Sequence, residues 1–467
     1  MVLILLGLVS WQLERAVAVF NAPLPDTTVS LVAYPCAPPQ WRDGRGLVVT
    51  LCPSDGVGWS PQAAPVPRLR GILADQGPDA FPAGPHRFTT QLHPTRVPAN
   101  PGQWWGEASY LRQGVVAQGT LEDWHPEPGG ACSLHCRYHS WRLSLIQRLR
   151  QHLPAMAQPG LVEALALGSR AGLDNSHWQT LQATGTNHLV AISGLHLGMV
   201  AMMIAWLSHW LLIRTRGQGG PGRAWLIVFL VLAGSGFYAL LAGFTVPTRR
   251  ALVMVSVASV AVAAGRRLRP MDGWLLALVL VLLVDPLAPL DMGFWLSFAA
   301  VGCLLLVFAN RLRQPAWWWA LLVAQLAVMI GLWPMLAVFD RPGTAMALLA
   351  NIIAIPLMSL VLMPLLLLSL PLVMFSPRSA AWVEPGLSLL LDSLWSGLVW
   401  LGERSLDLPE LPLGVLLLLA AAMLLSNFPL PMLWRRVTLL LVLCWVLVWP
   451  WQPQQSRAAK EGPQLLF

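Results

Sequence analysis

The sequence predicts a polytopic α-helical membrane protein of about 7 to 10 membrane helices, some broken or re-entrant, with a small β-rich domain near its N-terminus. Composition is the first reason, because 56% of the residues are hydrophobic and only 11% are charged, whereas soluble domains carry about 25% charged residues. The second reason is that several apolar runs reach the roughly 20 residues of a membrane helix. The third is a Pro- and Gly-dense region, residues 22–137, that interrupts this pattern.

Residues 1–20 form an apolar segment that we predict to be a retained membrane anchor, although its first eleven residues also fit the apolar part of a signal sequence. Residues 22–137 then alternate short β-type runs with turn residues, which predicts a small β-barrel or sandwich. The runs cover residues 28–34, 46–52, 69–74, 87–92 and 114–121.

Six cysteines fall into two groups. Cys303 and Cys444 lie in apolar spans, and the other four lie in the polar N-terminal region. An even number of cysteines in a domain that faces an oxidising compartment permits disulfides. The candidates are Cys36, Cys52, Cys132 and Cys136, and for the last two a metal site with His135 is the alternative.

Residues 139–186 connect the β-rich region to the membrane spans. Residues 139–157 predict an amphipathic helix lying at the membrane interface or packing between domains. Its apolar stripe would be Trp141, Leu145, Leu149 and Leu153, and Arg142 would lie on another face. Residues 159–183 are too polar for a free span and predict a short buried or re-entrant helix.

The most unusual stretch covers residues 184–198, because it places two histidines, an asparagine, a serine and glycines at the start of an apolar span predicted from about residue 188 to residue 213. Ionisable and polar groups at membrane depth are costly and mark functional sites. His188, Ser193 and His196 are therefore site candidates. Ser193 and His196 are also spaced to share a helix face as a catalytic pair, and on an ideal helix His188 and His196 would be about 80° apart.

Further breaks follow along the chain. Residues 243–250 place a proline and two arginines between apolar runs, so Arg249 and Arg250 either meet phosphates or reach lipid headgroups. Asp285 most simply ends a helix, with an ion relay as its alternative. Asn351 precedes Pro356 within a long apolar run, where it either lines a path or joins helices.

Basic loops set the predicted topology. Arg214, Arg216 and Arg223 lie in a loop without acidic residues, and similar clusters follow near residues 266, 311 and 435. The positive-inside rule places these loops in the cytoplasm. The β-rich domain then faces the opposite side of the membrane, and residues 187–451 form the transmembrane domain.

Four motifs in this order resemble the ComEC family of competence proteins. They are GTNHLVAISGLHLG from residue 185, YALLAGFTVPTRRA from residue 238, DP at 285–286 followed by GFWLSF at 293–298, and NIIAIP at 351–356. The resemblance implies an OB-like fold for residues 22–137 and translocation of single-stranded DNA across the cytoplasmic membrane during transformation. It also implies that His188, Ser193, His196, Arg249, Arg250 and Asn351 line the DNA path.

OB folds hold single strands by stacking bases on aromatic rings beside a basic groove. The residues of this type in the β-rich region are Trp104, Trp105, Arg68, Arg70, Arg87 and Arg96. Trp104 and Trp105 depart from the family pattern, which has an aromatic residue followed by an acid. Barrel packing or membrane contact is the alternative role of both tryptophans.

The sequence predicts no catalytic residues, no metal and no cofactor. It contains no phosphate-binding loop of the G-x-x-x-x-G-K-[ST] form, so transport energy would come from gradients or partners. The resemblance implies a DNA receptor, a cytoplasmic helicase or ATPase, membrane lipids and a second copy of the chain as partners. Family members often continue into a metallo-β-lactamase-like nuclease, which residues 452–467 would precede, so a separate nuclease is another candidate partner. The alternatives are a small-solute permease, which would not need residues 22–140, and an intramembrane hydrolase using Ser193.

Overall fold

A computed structural model of the protein describes residues 2–20, 28–42, 46–54, 68–73, 83–95, 110–127, 132–153, 156–216, 221–266, 269–309, 316–338, 344 and 346–405. The chain divides into two compact units, one of residues 1–302 with 344–406 and one of residues 303–343 with 407–467. The first unit carries the β-sheet, most of the described helices and every site discussed below. In the second, the described residues include the apolar helix Trp317–Val338.

The β-rich prediction is confirmed by a mixed sheet of eight strands. Their order is β6-β7-β4-β3-β1-β5-β8, and β2 pairs with β3. β4 and β7 run parallel, and the other printed pairs are antiparallel. The strands are β1 (Val29–Pro35), β2 (Gln40–Arg42), β3 (Gly46–Pro53), β4 (Arg68–Leu73), β5 (His86–Thr90), β6 (His93–Pro94), β7 (Val115–Thr120) and β8 (Glu122–Pro126).

The sheet core follows from the alternation of side chains along each strand. In β4, for example, Leu69 and Leu73 are buried while Arg68 and Arg70 are only half-buried. Phe88 at the centre of β5 is fully buried. Strands β1, β3, β4, β5 and β7 match the five predicted runs, and the short strands β2, β6 and β8 were not predicted. The OB-like assignment stays a prediction.

Helices make up the rest of the described chain. They are α1 (Val2–Phe20), α2 (Leu134–His152), α3 (Pro159–Leu167), α4 (Asn175–Ala183), α5 (Asn187–Val190), α6 (Gly194–Arg216), α7 (Pro221–Leu241), α8 (Val246–Ala263), α9 (Pro270–Val284), α10 (Met292–Phe308), α11 (Trp317–Val338), α12 (Ala347–Pro356), α13 (Met363–Phe375) and α14 (Pro377–Gly402). A π-helical turn, Leu357–Leu362, joins α12 to α13.

The membrane class is confirmed by five helical segments that are long and apolar enough to span a bilayer. They are Gly194–Arg214, Gly222–Leu241, Val246–Ala263, Trp317–Leu336 and Ala347–Phe375. Their outward surfaces carry large apolar side chains such as Met202, Phe229 and Leu360, which are 71%, 66% and 74% exposed. Exposed apolar area of this extent is stable only against lipid or protein, so these faces are lipid-facing or interfacial.

Two local predictions are wrong. The span that opens at the signature begins at Gly194 and not near residue 188, because the chain is extended at Ala191 between α5 and α6. In α2 the buried face contains Cys136, His139, Arg142, Leu143, Ile146 and Leu149. Trp141 is 42% exposed and Arg142 only 5% exposed, because Arg142 finds hydrogen-bond partners inside the fold.

Candidate functional site

The signature stretch forms a break between two helices. α5 ends at Val190, and Ala191 adopts an extended conformation before α6 begins at Gly194. This break removes the regular 100° step that would relate His188 to His196, so the predicted angle of about 80° between them does not apply. His188 is exposed, whereas His196 is completely buried.

His196 is held by the backbone at the break. Its Nδ1 accepts a hydrogen bond from the backbone N–H of Ser193 at 3.4 Å, and its Nε2 is buried without a hydrogen-bond partner among the described residues. The Ser193 hydroxyl is not the group that contacts the imidazole. A serine nucleophile requires that contact, so the geometry does not support the predicted hydrolase alternative.

The start of the helix that carries the fourth motif packs against Gly185, the first residue of the first motif. Gly185 has a φ of +63°, and a Cβ at this position would lie 2.7 Å from Cβ of Ala347, the first residue of α12. Only glycine allows both this left-handed conformation and this close approach. Asn351 lies one helical turn beyond Ala347, and its Oδ1 is buried with no hydrogen-bond partner in the described residues.

Other buried polar atoms in this part of the chain also lack partners. They are the Ser169 Oγ, the Ser235 Oγ and the Tyr238 hydroxyl, of which the last two lie one turn apart on α7. An unsatisfied buried hydroxyl costs about 1–3 kcal/mol, and such groups in native proteins usually contact water or a ligand. The interior of the bundle therefore contains hydrogen-bonding groups that a purely apolar, closely packed interior would lack.

The turn before α8 has an unusual backbone, and two consecutive arginines follow it in the first turns of the helix. Gly243 and Phe244 both have positive φ values, +82° and +49°, and the second is uncommon for a residue with a side chain. Arg249 is exposed, and its Nε donates to the Phe244 carbonyl at 2.8 Å. Its guanidinium also lies over the Phe244 ring, 5.3 Å from the centroid.

Arg250 points to a different place and is only 3% exposed. Its Nε and Nη1 are buried without partners in the part of the chain described. Beside it lies an ion-pair network in which Arg112 donates to Asp291 Oδ2 at 2.5 Å and to Asp285 Oδ2 at 2.7 Å. We call Arg112, Arg250, Asp285 and Asp291 the aspartate network, and it joins the sheet domain to the end of α9.

Arg142 connects the ends of two helices. It donates to the carbonyl of Leu241, where α7 ends, and to the carbonyl of Leu167, where α3 ends. A cation near a helix C-terminus offsets the negative end of the helix dipole and satisfies free carbonyls. A Cβ on Gly243 would lie 2.6 Å from the Arg142 guanidinium carbon, and the φ of +82° is one that residues with a side chain rarely adopt. Both observations favour glycine at that position.

A second polar group lies where β1 and β4 meet α2 and the start of α8. The Tyr34 hydroxyl is 2.9 Å from His135 Nδ1, and His135 Nε2 is 3.2 Å from His139 Nε2. The Tyr138 ring packs 4.8 Å from the His139 ring, and its hydroxyl donates to the Leu240 carbonyl at 2.7 Å. We call the group of Tyr34, Arg68, His135, Tyr138, His139 and Arg249 the junction cluster.

Charge and burial show that the junction cluster is strongly basic. Burial lowers the pKa of Arg68, and the neighbouring charge of Arg249 lowers it further. Burial, then His135, Arg142 and Arg68, lower the pKa of His139 to about 3. Burial and Arg68 also lower the pKa of His135. Both imidazoles are therefore neutral at pH 7.

The remaining β-domain candidates are not brought together. Arg70 donates to the Tyr110 hydroxyl at 2.6 Å, and Arg87 makes a bidentate pair with Glu127 at 2.9 Å. Trp104, Trp105 and Arg96 lie outside the described residues. The four candidate cysteines form two disulfides, Cys36–Cys52 and Cys132–Cys136, and Cys303 is a free thiol. Cys444 is also outside the described residues.

Sequence reasoning missed several residues that the structure places at these sites. They are Tyr34, Arg112, His135, Tyr138, His139 and Arg142. The partners of Arg112 are 173 and 179 positions away, so no local pattern indicates them. A faint signal existed for His135 and His139, which are spaced four apart and so share a helix face.

These features define a polytopic helical membrane protein with a disulfide-bonded sheet domain and a bundle of broken helices that contains unpartnered polar atoms. No group of three or more His, Cys, Asp or Glu side chains suited to a metal lies within the described residues. The family model described as Competence protein matches residues 165–453. This is more than half of the chain, which therefore belongs to that family, and the resemblance found in the sequence motifs is confirmed.

Several curated proteins are similar to the chain. It is 39% identical over 276 residues to "Competence protein ComA" of Neisseria gonorrhoeae, which is 57% of this chain and 38% of that protein. It is 33% identical over 273 residues to "Recombination protein 2" of Haemophilus influenzae, 55% of this chain and 33% of that protein. It is 26% identical over 205 residues to "ComE operon protein 3" of Bacillus subtilis, 44% and 25% of the respective lengths. The matched region thus spans well under half of each relative, and no solved structure matches the chain.

Proposed function

We propose that this chain forms the channel through which single-stranded DNA crosses the cytoplasmic membrane during natural transformation. The sheet domain faces outward and receives the strand, and the broken helices enclose its path. The Competence protein match and the relatives named for competence support this proposal. In the family role, a DNA receptor, a cytoplasmic helicase or ATPase and a separate nuclease are the partners, and the channel region itself performs no chemistry.

The observation that carries the proposal is the set of buried polar atoms without partners. His196 Nε2, Asn351 Oδ1, Ser235 Oγ and the Tyr238 hydroxyl are all buried and unsatisfied among the described residues. Non-helical backbone and polar side chains at membrane depth are tolerated where they line a water-filled cavity. The breaks at Ala191 and at Gly243 and Phe244 supply such backbone. The π-helical turn after Pro356 keeps a helical backbone but departs from the regular hydrogen-bond pattern.

The two explanations of these polar atoms predict opposite results for Asn351→Leu. If Asn351 only packs between helices, an apolar side chain of similar size is neutral or stabilising, and transport is unchanged. If Asn351 lines the path, the variant inserts normally but loses a hydrophilic surface. We expect at least a tenfold loss of transformation by Asn351→Leu in a competent strain in which this gene replaces the resident homologue.

The matched control is Ser256→Ala. Ser256 lies on α8 and already donates to the Leu252 carbonyl of its own helix at 2.7 Å, so its removal should not affect transport. Transformation frequency and membrane abundance are measured together for both variants. Normal transformation by Asn351→Leu at normal abundance would contradict the proposed path.

A further inference from the structure

The junction cluster contains more positive charge than the protein around it compensates. Within the part of the chain that the structure describes, Arg68 has no carboxylate and no side-chain hydrogen-bond partner, and Arg249 uses one of its five N–H donors, on the Phe244 carbonyl. Arg142, two turns along α2 from His135, adds a third cation, although carbonyls satisfy part of it. Guanidinium groups held close together without acids are arranged for an anion.

The backbone explains why Arg68 belongs to this cluster. Tyr34 on β1 pairs with Cys52 on β3, and Leu69 on β4 pairs with Leu51 on β3. Arg68 is therefore opposite Cys52, with Tyr34 on the other side of the same strand. Residues in register across neighbouring strands share a face of the sheet. Tyr34 contacts His135 of α2, so Arg68 lies on the α2 side of the sheet, in agreement with its effect on His135 and His139.

The neutral side chains of the cluster add hydrogen-bond donors. Tyr34 can donate to His135 Nδ1, and His135 Nε2–H can then donate to His139 Nε2, so one proton arrangement satisfies both printed contacts. This arrangement leaves the His139 Nδ1–H without an acceptor among the residues that the structure describes. The N-terminal turn of α8, which carries Arg249, adds the positive end of an 18-residue helix.

We propose that the junction cluster binds the phosphodiester group of a single DNA strand, with Arg68 from the sheet domain and Arg249 from the membrane helices as its two cationic arms. This inference rests on the proposed function and assigns it a specific contact. Because the two arms come from different parts of the fold, a bound phosphate would hold the strand where the sheet domain meets the first turn of α8. Phosphate contacts position a nucleic acid without reading its sequence.

The test uses the full chain in nanodiscs of phosphatidylcholine and a fluorescent oligothymidylate. We compare wild type with Arg68→Gln, Arg249→Gln and the double variant over a range of salt concentrations. Each phosphate contact contributes about −0.7 to the slope of log K against log salt for a single strand. We expect a five- to fiftyfold weaker affinity and a slope smaller by about 0.7 for the double variant. The charge control is Arg404→Gln, at an exposed arginine that lies over Trp400. It removes the same charge as either single variant and should match wild type.

Two further measurements identify which chemical group occupies the site. An oligonucleotide with an uncharged methylphosphonate backbone should bind wild type and the double variant equally, because the phosphate charge is absent. Nanodiscs with phosphatidylglycerol test a lipid headgroup as the ligand. If the double variant binds DNA like wild type and loses only a response to phosphatidylglycerol, a lipid occupies the site and the proposal is wrong.

The outcomes also separate this inference from the proposed function. If both arginine variants bind and import DNA like wild type while Asn351→Leu remains defective, only the phosphate site is overturned. If wild type fails to bind any oligonucleotide and Asn351→Leu transforms normally, both proposals fall. A difference between wild type and the double variant that persists on the methylphosphonate strand would also overturn the phosphate assignment.

Discussion

Adjacent residues in this chain have opposite environments. Arg249 is exposed at the junction cluster, whereas Arg250 is buried beside Asp291 with two unpartnered nitrogens. The cause is the step of about 100° per residue in an α-helix, which directs neighbouring side chains to different surfaces. The sequence motif that contains both arginines therefore serves two sites.

His139 leads to a prediction about pH at the residue scale. Burial, followed by the charges of His135, Arg142 and Arg68, lowers its pKa from 6.5 to about 3. The folded state thus holds this imidazole neutral, while the unfolded chain takes up a proton below about pH 6.5. The contribution of the neutral His139 to stability is therefore fully present above about pH 6.5 and is lost as the pH decreases from 6.5 towards 3.

We expect His139→Gln to reduce this dependence, measured as the unfolding free energy of the full chain in detergent between pH 7.5 and 5. The wild-type loss from this residue should be up to about 1 kcal/mol per pH unit, below the full 1.4 because the ring is partly solvated. His86 and His135, whose pKa values are also lowered by burial, contribute with the same sign and remain in the variant. An unchanged slope in His139→Gln would show that His139 is protonated without cost in the folded state.

At the scale of elements, the aspartate network holds the sheet domain against the helices. Arg112 lies in a short helical segment, residues 110–113, just before β7. Asp285 ends α9, and Asp291 accepts from the Gly293 backbone N–H at 2.8 Å where α10 begins. One arginine of the sheet domain therefore fixes both sides of a single turn between two helices. The side chains of Arg112, Asp285 and Asp291 are 10%, 25% and 29% exposed.

This geometry predicts an unequal response to mutation. Arg112→Gln leaves two carboxylates that still face Arg250, whereas Asp285→Asn with Asp291→Asn leaves both arginines without a counter-charge. Removing one side of a buried ion pair costs about 3–5 kcal/mol, so we expect the double variant to lose about 3 kcal/mol and Arg112→Gln clearly less. Urea unfolding of the detergent-solubilised chain measures both.

Arg87→Gln is the control for that series, because it breaks an exposed pair with Glu127 and should change stability little. Adding Arg250→Gln to the double asparagine variant should recover part of the loss, since one uncompensated buried charge is then removed. A loss of equal size for Arg112→Gln and the double variant would indicate that Arg250 does not interact with the aspartates.

At the scale of the whole molecule, the two disulfides and the basic loops make the same prediction about topology. The bonds Cys36–Cys52 and Cys132–Cys136 belong to one buried cluster with Tyr34, and disulfides persist outside the reducing cytoplasm. The positive-inside rule predicts that Arg214, Arg216 and Arg223, at the end of α6 and the start of α7, lie on the cytoplasmic side. An odd number of membrane crossings is therefore expected between the sheet domain and these arginines.

Labelling of intact cells tests this arrangement. After mild reduction, a membrane-impermeant maleimide should label Cys132, the half-buried member of the four, without permeabilisation. The variant lacking all four cysteines should lose that signal. Cys303, a free thiol within the apolar helix α10, should stay unlabelled in intact cells. Labelling that requires permeabilised cells would place the sheet domain on the cytoplasmic side.

The sequence predicted the parts of the fold that depend on local pattern. Five strand runs, the membrane class and the helix breaks near residues 191 and 244 follow from alternation, hydropathy and the placement of glycine and proline. The predicted break near Pro356 is wrong, because the helix continues from Ala347 to Phe375 through a π-helical turn. It misplaced the face of α2, because the spacing of Trp141 and Leu145 resembles an apolar stripe. An arginine is placed inside a fold only when carbonyls from distant segments are available, and the carbonyls that bind Arg142 are 25 and 99 positions away.

By itself, then, the sequence determined that this protein is a membrane-embedded bundle with a β-rich domain and a competence-type signature. Hydropathy and backbone propensity are properties of short segments, so they can be read locally. Only the tertiary structure decided that Arg68 meets Arg249, that Arg112 meets two aspartates, and that Gly185 packs on Ala347. Those contacts join residues that are far apart along the chain, and electrostatic and steric complementarity between them exists only once the chain has folded.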